Sequence, residues 1–172
     1  VLVANFLLLL MPQATAANTV IRITAPVNQT FAGEFRNDDL AQLLTPSGDL
    51  GLKVFQPIAK NRTWVIDAAL VDEVILMSNQ YALATDAEPA GKEIAAAWLA
   101  QLKRVTDGNE VIALAYGNPD IALAKRLAPS ELKNYFVYGQ DRLQLALGRI
   151  VRSEPQVAWS VGKSGLSNPL RK

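Results

Sequence analysis

One unit occurs twice in this chain and limits its fold more than any other feature: an apolar β-branched strand, an acidic turn, then a helical run. The first copy is Thr63-Trp64-Val65-Ile66-Asp67-Ala68-Ala69-Leu70. The second is Val111-Ile112-Ala113-Leu114-Ala115-Tyr116-Gly117-Asn118-Pro119-Asp120. Strands that alternate with helices in this way argue for parallel pairing through right-handed crossovers. Folds of that kind carry their ligand chemistry just past the carboxyl ends of the strands. Both acidic turns fall at such ends.

The rest of the chain continues the alternation. Thr19-Val20-Ile21-Arg22-Ile23-Thr24 is β-rich and stops at Ala25-Pro26. Asn37-Asp38-Asp39 can cap a helix that carries Leu40, Leu43 and Leu44 on one face, and Pro46-Ser47-Gly48 breaks it. Leu50, Val54 and Ile58 mark a second helix, which Pro57 should kink or shorten. After the Asp67 turn a short helix is expected over residues 68–76, then a loop over 81–91.

The clearest helix covers residues 92–105, where Ile94, Trp98, Leu102 and Val105 form one stripe ended by Asp107-Gly108-Asn109. Residues 120–127 read as helical. Ser130 can cap a further short helix with Leu132, Tyr135 and Phe136, while Leu143, Leu147 and Ile150 mark another. Val157-Ala158-Trp159-Ser160 reads as a fresh strand. The expected class is therefore α/β, with parallel strands alternating with helices. Part of a (β/α) barrel fits this order, as does a small doubly wound sheet. Near-continuous apolar strands suit either, because parallel sheets are covered on both faces.

The two ends suggest a piece of a longer protein. Residues 1–11 are apolar except for Asn5 and are followed by Ala14-Thr15-Ala16-Ala17, a pattern of signal-peptide type. The other reading of residues 1–17 is the end of a preceding domain. Residues 18–172 then form an incomplete α/β domain, since a parallel strand at 157–160 should lead into another helix.

Composition removes whole classes of chemistry. The chain has no cysteine, which excludes disulfides, thiolate metal sites and cysteine nucleophiles. It has no histidine either, which excludes Ser-His-Asp catalysis and imidazole zinc sites within this segment. Its 17 basic residues nearly balance 16 acidic ones, with no basic stripe, so nucleic acid is not an expected partner. No cofactor motif is present, and no metal site is expected. Any catalysis here must use carboxylates, lysine or tyrosine, or else an oxygen-ligated metal.

Asp67 and Asp120 are the candidate catalytic pair. On neighbouring parallel strands, about 4.8 Å apart, two strand-end carboxylates can approach the roughly 5–5.5 Å used by retaining glycosidases. Each also has a plain structural reading as a helix N-cap. Tyr116 and Asn118, displayed by the turn after the strand, are candidate binding residues, with Trp159 as a candidate stacking platform. Trp98 and Trp64 read as core.

These same segments carry a resemblance. The series Ile23-Thr24-Ala25-Pro26, Leu44-Thr45-Pro46-Ser47-Gly48-Asp49-Leu50 and Trp64-Val65-Ile66-Asp67-Ala68-Ala69-Leu70 resembles a family of uncharacterised actinobacterial envelope proteins. The gene of that family commonly lies beside that of the lipid II flippase. Ala97-Trp98-Leu99-Ala100-Gln101-Leu102 and Leu114-Ala115-Tyr116-Gly117-Asn118-Pro119-Asp120 continue it in matching order.

The resemblance implies a secreted protein at the extracytoplasmic face of the membrane, with an anchor near a C-terminus that this chain lacks. It also implies a domain whose βα order is similar to glycoside hydrolase and deacetylase barrels. No catalytic residue comes with it. Ala68 stands where the family commonly has proline, and Asn118 where an acidic residue is common. Two functions remain expected: binding of cell-wall polysaccharide or an envelope protein through a barrel-like scaffold, or carbohydrate hydrolysis by Asp67 and Asp120.

Overall fold

The structure, a computed structural model, describes residues 19–56 and 62–156. Strands β1 (Thr19–Ile23), β2 (Arg62–Ile66), β3 (Glu110–Ala113) and β4 (Arg152–Ser153) form one sheet in the order β1-β2-β3-β4. Every neighbouring pair is parallel. Helices α1 (Asp39–Leu44) and α2 (Asp49–Phe55) join the first pair of strands. Helices α3 (Ala68–Ser78) and α4 (Lys92–Thr106) join the second, and α5 (Ile121–Leu127) and α6 (Pro129–Leu147) the third. The molecule is thus α/β with a parallel sheet. Among the described residues the sheet is open.

The sheet grows in one direction only, so right-handed crossovers bring the connecting helices onto the same face. That face carries Ile21, Ile23, Trp64, Ile66, Val111 and Ala113. They form the main core with Leu44, Leu50, Val74, Met77, Trp98 and Leu143 from the helices. Trp98 is fully buried, and its indole N–H donates to the Leu50 carbonyl at 3.0 Å, which satisfies the one polar atom that burial would otherwise strand.

The opposite face follows from the period of two and the register. Arg22 of β1 stands beside Val65 of β2, then Ile112 of β3 and Arg152 of β4. Toward the carboxyl ends, the residues just past the ladder are Asp67, Leu114 and Glu154. Backbone bonds Asp67 N–H to Ile23 O and Leu114 N–H to Ile66 O, both 3.0 Å, continue the sheet to that level. This face has an apolar band of Val20, Val65, Ile112 and Leu114, bordered at the carboxyl rim by charge.

Several elements differ from the sequence pattern. The fourth described strand is Arg152–Ser153, whereas the run at 157–160 lies outside the described residues, as does Ile58. The two short helices expected after Ser130 are one continuous helix, α6, with Pro129 in its first turn. Nothing between Phe136 and Leu143 breaks it, and Gly139 is retained inside it for its lack of a side chain. A Cβ there would overlap the Leu114 carbonyl oxygen at the end of β3. Ile150 lies past the Gly148 cap (φ 70°) and is exposed, outside the helix.

At the start of α1, the Asp38 side chain makes no cap bond. It accepts instead from the Tyr81 hydroxyl and from Ala90 N–H at 2.9 Å. That hydroxyl also accepts from Gly91 N–H at 2.7 Å, so the loop over residues 81–91 is tied to α1. Burial and the Asp38 carboxylate raise the Tyr81 hydroxyl to about 12.

Candidate functional site

Asp67 occupies the first position past β2. Its backbone completes the sheet while its side chain starts α3, where Oδ1 accepts Ala69 N–H at 3.0 Å. The structure thus confirms the N-cap role. The same oxygen has a second donor. After β3 the chain turns through Gly117 (φ 74°) and Asn118 (φ 44°), two consecutive left-handed residues. Glycine takes this conformation without penalty, and asparagine tolerates it better than most side chains. The turn aims Gly117 N–H at Asp67 Oδ1, 3.0 Å away. Oδ2 accepts from no described residue.

Only 2% of Asp67 is exposed. Burial raises its carboxyl above the ordinary aspartate range, although the Ala69 and Gly117 amides and the Arg22 cation act in the opposite sense. Arg22 reaches the rim from β1, where Nη2 donates to Asn118 Oδ1 at 2.8 Å. Its Nη1 is buried and has no hydrogen-bond partner among the described residues, and the same holds for Oε2 of Glu154, just past β4. Burial raises the Glu154 carboxyl as well, with Arg22 again opposing it. Arg22, Asp67 and Glu154, with the Asn118 amide, therefore form one polar rim across the strand ends.

The other flank of the same turn is aromatic. The Tyr116 hydroxyl donates to Asp72 Oδ2 at 3.0 Å. Arg142 grips that carboxylate with both arms of its fork, Nε to Oδ2 at 2.9 Å and Nη2 to Oδ1 at 2.8 Å. Burial and the Asp72 charge push the Tyr116 hydroxyl up, and the bond to Asp72 pushes the Arg142 guanidinium up. The Tyr116 and Tyr138 rings meet edge to face at 4.7 Å and 63°. Tyr116 N–H donates to the Tyr135 carbonyl of α6 at 3.0 Å. These groups line a cleft of about 330 Å³ together with Val27, Gln29 and Glu73.

Glu73 fixes the edge of this cleft. It is buried and accepts from Asn28 N–H (3.0 Å) and Gln29 N–H (3.2 Å), which holds the loop after β1 against α3. Burial raises its carboxyl.

The residues singled out from sequence are distributed unevenly. Asp67, Tyr116 and Asn118 meet around one turn. Asp120 does not join them: β2 and β3 are neighbours, but Asp120 is exposed and its Oδ1 caps α5 through Leu123 N–H at 3.0 Å. The charged groups that act on Asp67 include Arg22, Asp72 and Glu73. Trp159 lies outside the described residues. Trp64 and Trp98 are core.

Sequence reading missed Arg22, Glu154, Asp72, Tyr138 and Arg142. The available signals were a charge inside an apolar strand and the i, i+4 spacing of Tyr138 and Arg142. Among the described residues no cluster of acids is placed to hold a metal ion, and no helix is long and apolar enough to cross a membrane. Compared with models of known protein families and with curated proteins, the chain matches none.

Proposed function

We propose that this chain is part of a (β/α) barrel from an actinobacterial envelope protein exported across the membrane, and that it binds cell-wall polysaccharide at the carboxyl rim of its sheet. The barrel reading is supported by strands that add in chain order with their helices on one face. The binding reading rests on one observation: the two strand-end aspartates hold backbone amides. Asp67 Oδ1 accepts Ala69 and Gly117, and Asp120 caps its own helix. Their work is to fix the turn that displays Tyr116 and Asn118.

Co-sedimentation with insoluble actinobacterial cell wall tests this. The chain should pellet with the wall and release no soluble reducing ends. A chain that stays in the supernatant would overturn the binding reading.

One observation favours hydrolysis as a second reading. Asp67 combines a carboxyl raised by burial with an oxygen that accepts no bond from a described residue, as a general acid requires. Its partner would then be Glu154, which stands at the same level of the sheet with one strand between them. Two strand spacings are about 9.6 Å, near the roughly 6.5–9.5 Å separation of inverting glycosidases. Reducing ends released by the wild type, and lost in both Asp67→Asn and Glu154→Gln, would establish this reading over simple binding.

A further inference from the structure

The ion pair of Asp72 and Arg142 borders two depressions. On one side is the cleft of about 330 Å³ with Tyr116, Tyr138 and Gln29. On the other is a depression of about 460 Å³ with Leu99, Leu145, Asn79 and Lys103. The first lies where α3 and α6 meet the loop after β1 and the turn after β3, the second among α3, α4 and α6, and the pair crosses between them.

Three features make this more than a gap between helices. First, Arg142 is held flat by its fork on Asp72, yet its side chain is 37% exposed and Nη1 donates to no described residue. Donors already fixed in place bind without a further ordering cost. Second, the pair is self-neutralised, so the ligand needs no net charge. Third, each depression exposes an apolar group: the Tyr138 ring is 50% exposed on one side and Leu145 73% exposed on the other. A pyranose has one apolar C–H face and a rim of hydroxyls that both donate and accept. It can lie against such a group while its hydroxyls meet Arg142 Nη1 and the Gln29 or Asn79 amide.

We infer that the two depressions form one trough for a neutral glycan, a pyranose unit in each, with the Asp72–Arg142 pair as the saddle between them. This deepens the proposed wall binding and rests on it for the source of the glycan. An acidic sugar is disfavoured at the saddle, where Asp72 offsets the Arg142 charge, and in the first depression, which Glu73 also lines, while Lys103 adds a cation only to the second.

Calorimetric titration of the full chain with soluble sugars tests the trough. The probes are N-acetylglucosamine, its β-1,4 disaccharide and a disaccharide of galacturonic acid. The neutral disaccharide should bind roughly tenfold more tightly than the monosaccharide, since it fills both depressions. Tyr138→Ala should weaken both neutral sugars. Leu145→Ala should weaken the disaccharide only. Leu145→Ala should keep the wild-type melting temperature. Tyr138→Ala loses the edge-to-face contact with Tyr116 and should lower it by a few degrees, so its sugar binding is read well below that melting temperature, where the variant is folded.

Equal affinity for mono- and disaccharide, a preference for the acidic sugar, or unchanged binding by both variants would overturn the trough. The two proposals fail separately. A chain that pellets with cell wall but ignores the soluble sugars loses only the trough. A chain that binds the disaccharide but not the wall loses only the wall.

Discussion

The Asp67 carboxylate and the Gly117 backbone amide lie 3.0 Å apart across 50 residues of sequence. One oxygen thereby joins the start of α3 to the turn after β3, and the site on either side of that turn depends on it.

An acceptor, rather than a charge, is what this joint requires. Asp67→Asn keeps an oxygen for both amides and removes a buried negative charge, so its melting temperature should stay within about 3 °C of wild type or rise. Asp67→Ala leaves both amides without a partner and should cost about 1–3 kcal/mol. Thermal unfolding separates the two. An asparagine variant as unstable as the alanine variant would mean that the charge itself holds the turn.

Stability should respond to pH in the unusual direction where buried acids control it. Asp67, Glu73 and Glu154 are all raised in the folded chain from ordinary values of 3.8, 4.5 and 4.5. Between the ordinary and raised values the folded chain keeps protons that the unfolded chain has released, so these three groups lose stability as pH rises through that window. Glu73→Gln removes one share of the loss. Urea midpoints measured between about pH 4 and pH 8 should show the variant gaining on wild type as pH rises. A constant difference across the range would contradict this.

Gly139 reverses an ordinary rule. Glycine to alanine inside a helix usually stabilises by about 1 kcal/mol. Here the added methyl would meet the Leu114 carbonyl and the Tyr116 amide, so Gly139→Ala should destabilise by about 1–3 kcal/mol through displaced backbone. Chemical denaturation reads the sign directly, and a gain in stability would mean that α6 can move away from β3 freely.

The Asp72–Arg142 pair should be modest as a source of stability. Bidentate geometry favours it, but exposure of the arginine limits it, and a double-mutant cycle with Asp72→Asn and Arg142→Met should give a coupling of about 1 kcal/mol or less. A coupling several times larger would show that the pair is held for the fold rather than for a ligand.

Sequence pattern went far with the scaffold and stopped short of the site. Parallel order is legible because β1, β2 and β3 are largely apolar and β-branched and each is followed by a helical stripe, whereas β4, Arg152–Ser153, carries no such signal. Asp67 could be read as a cap because caps are local. Arg22 and Glu154 could not be joined to it, because their meeting depends on register across four strands. Asp72 and Arg142 are 70 residues apart, on helices whose relative placement no local signal encodes. Two apolar groups, Leu132 with Tyr135 and Phe136 and then Leu143 with Leu147 and Ile150, read as two helices, and no local signal shows that Gly139 lets one helix run past the Leu114 carbonyl. The pairing of Asp67 with Asp120 assumed that acids at neighbouring strand ends point the same way, and the left-handed Gly117–Asn118 turn sends the second one into α5.

Among the described residues the sheet winds only one way, so they form no crevice between oppositely wound halves, the usual seat of a nucleotide in open α/β proteins. In parallel α/β folds, recognition commonly falls to the segments past the carboxyl ends of the strands, which vary while the helices beneath stay packed. On the proposed binding reading, the exposed stretch from Phe31 to Gly33 is the part that new sequence can replace, because Asn28, Gln29, Phe35 and Gly117 are tied into α3 and the core.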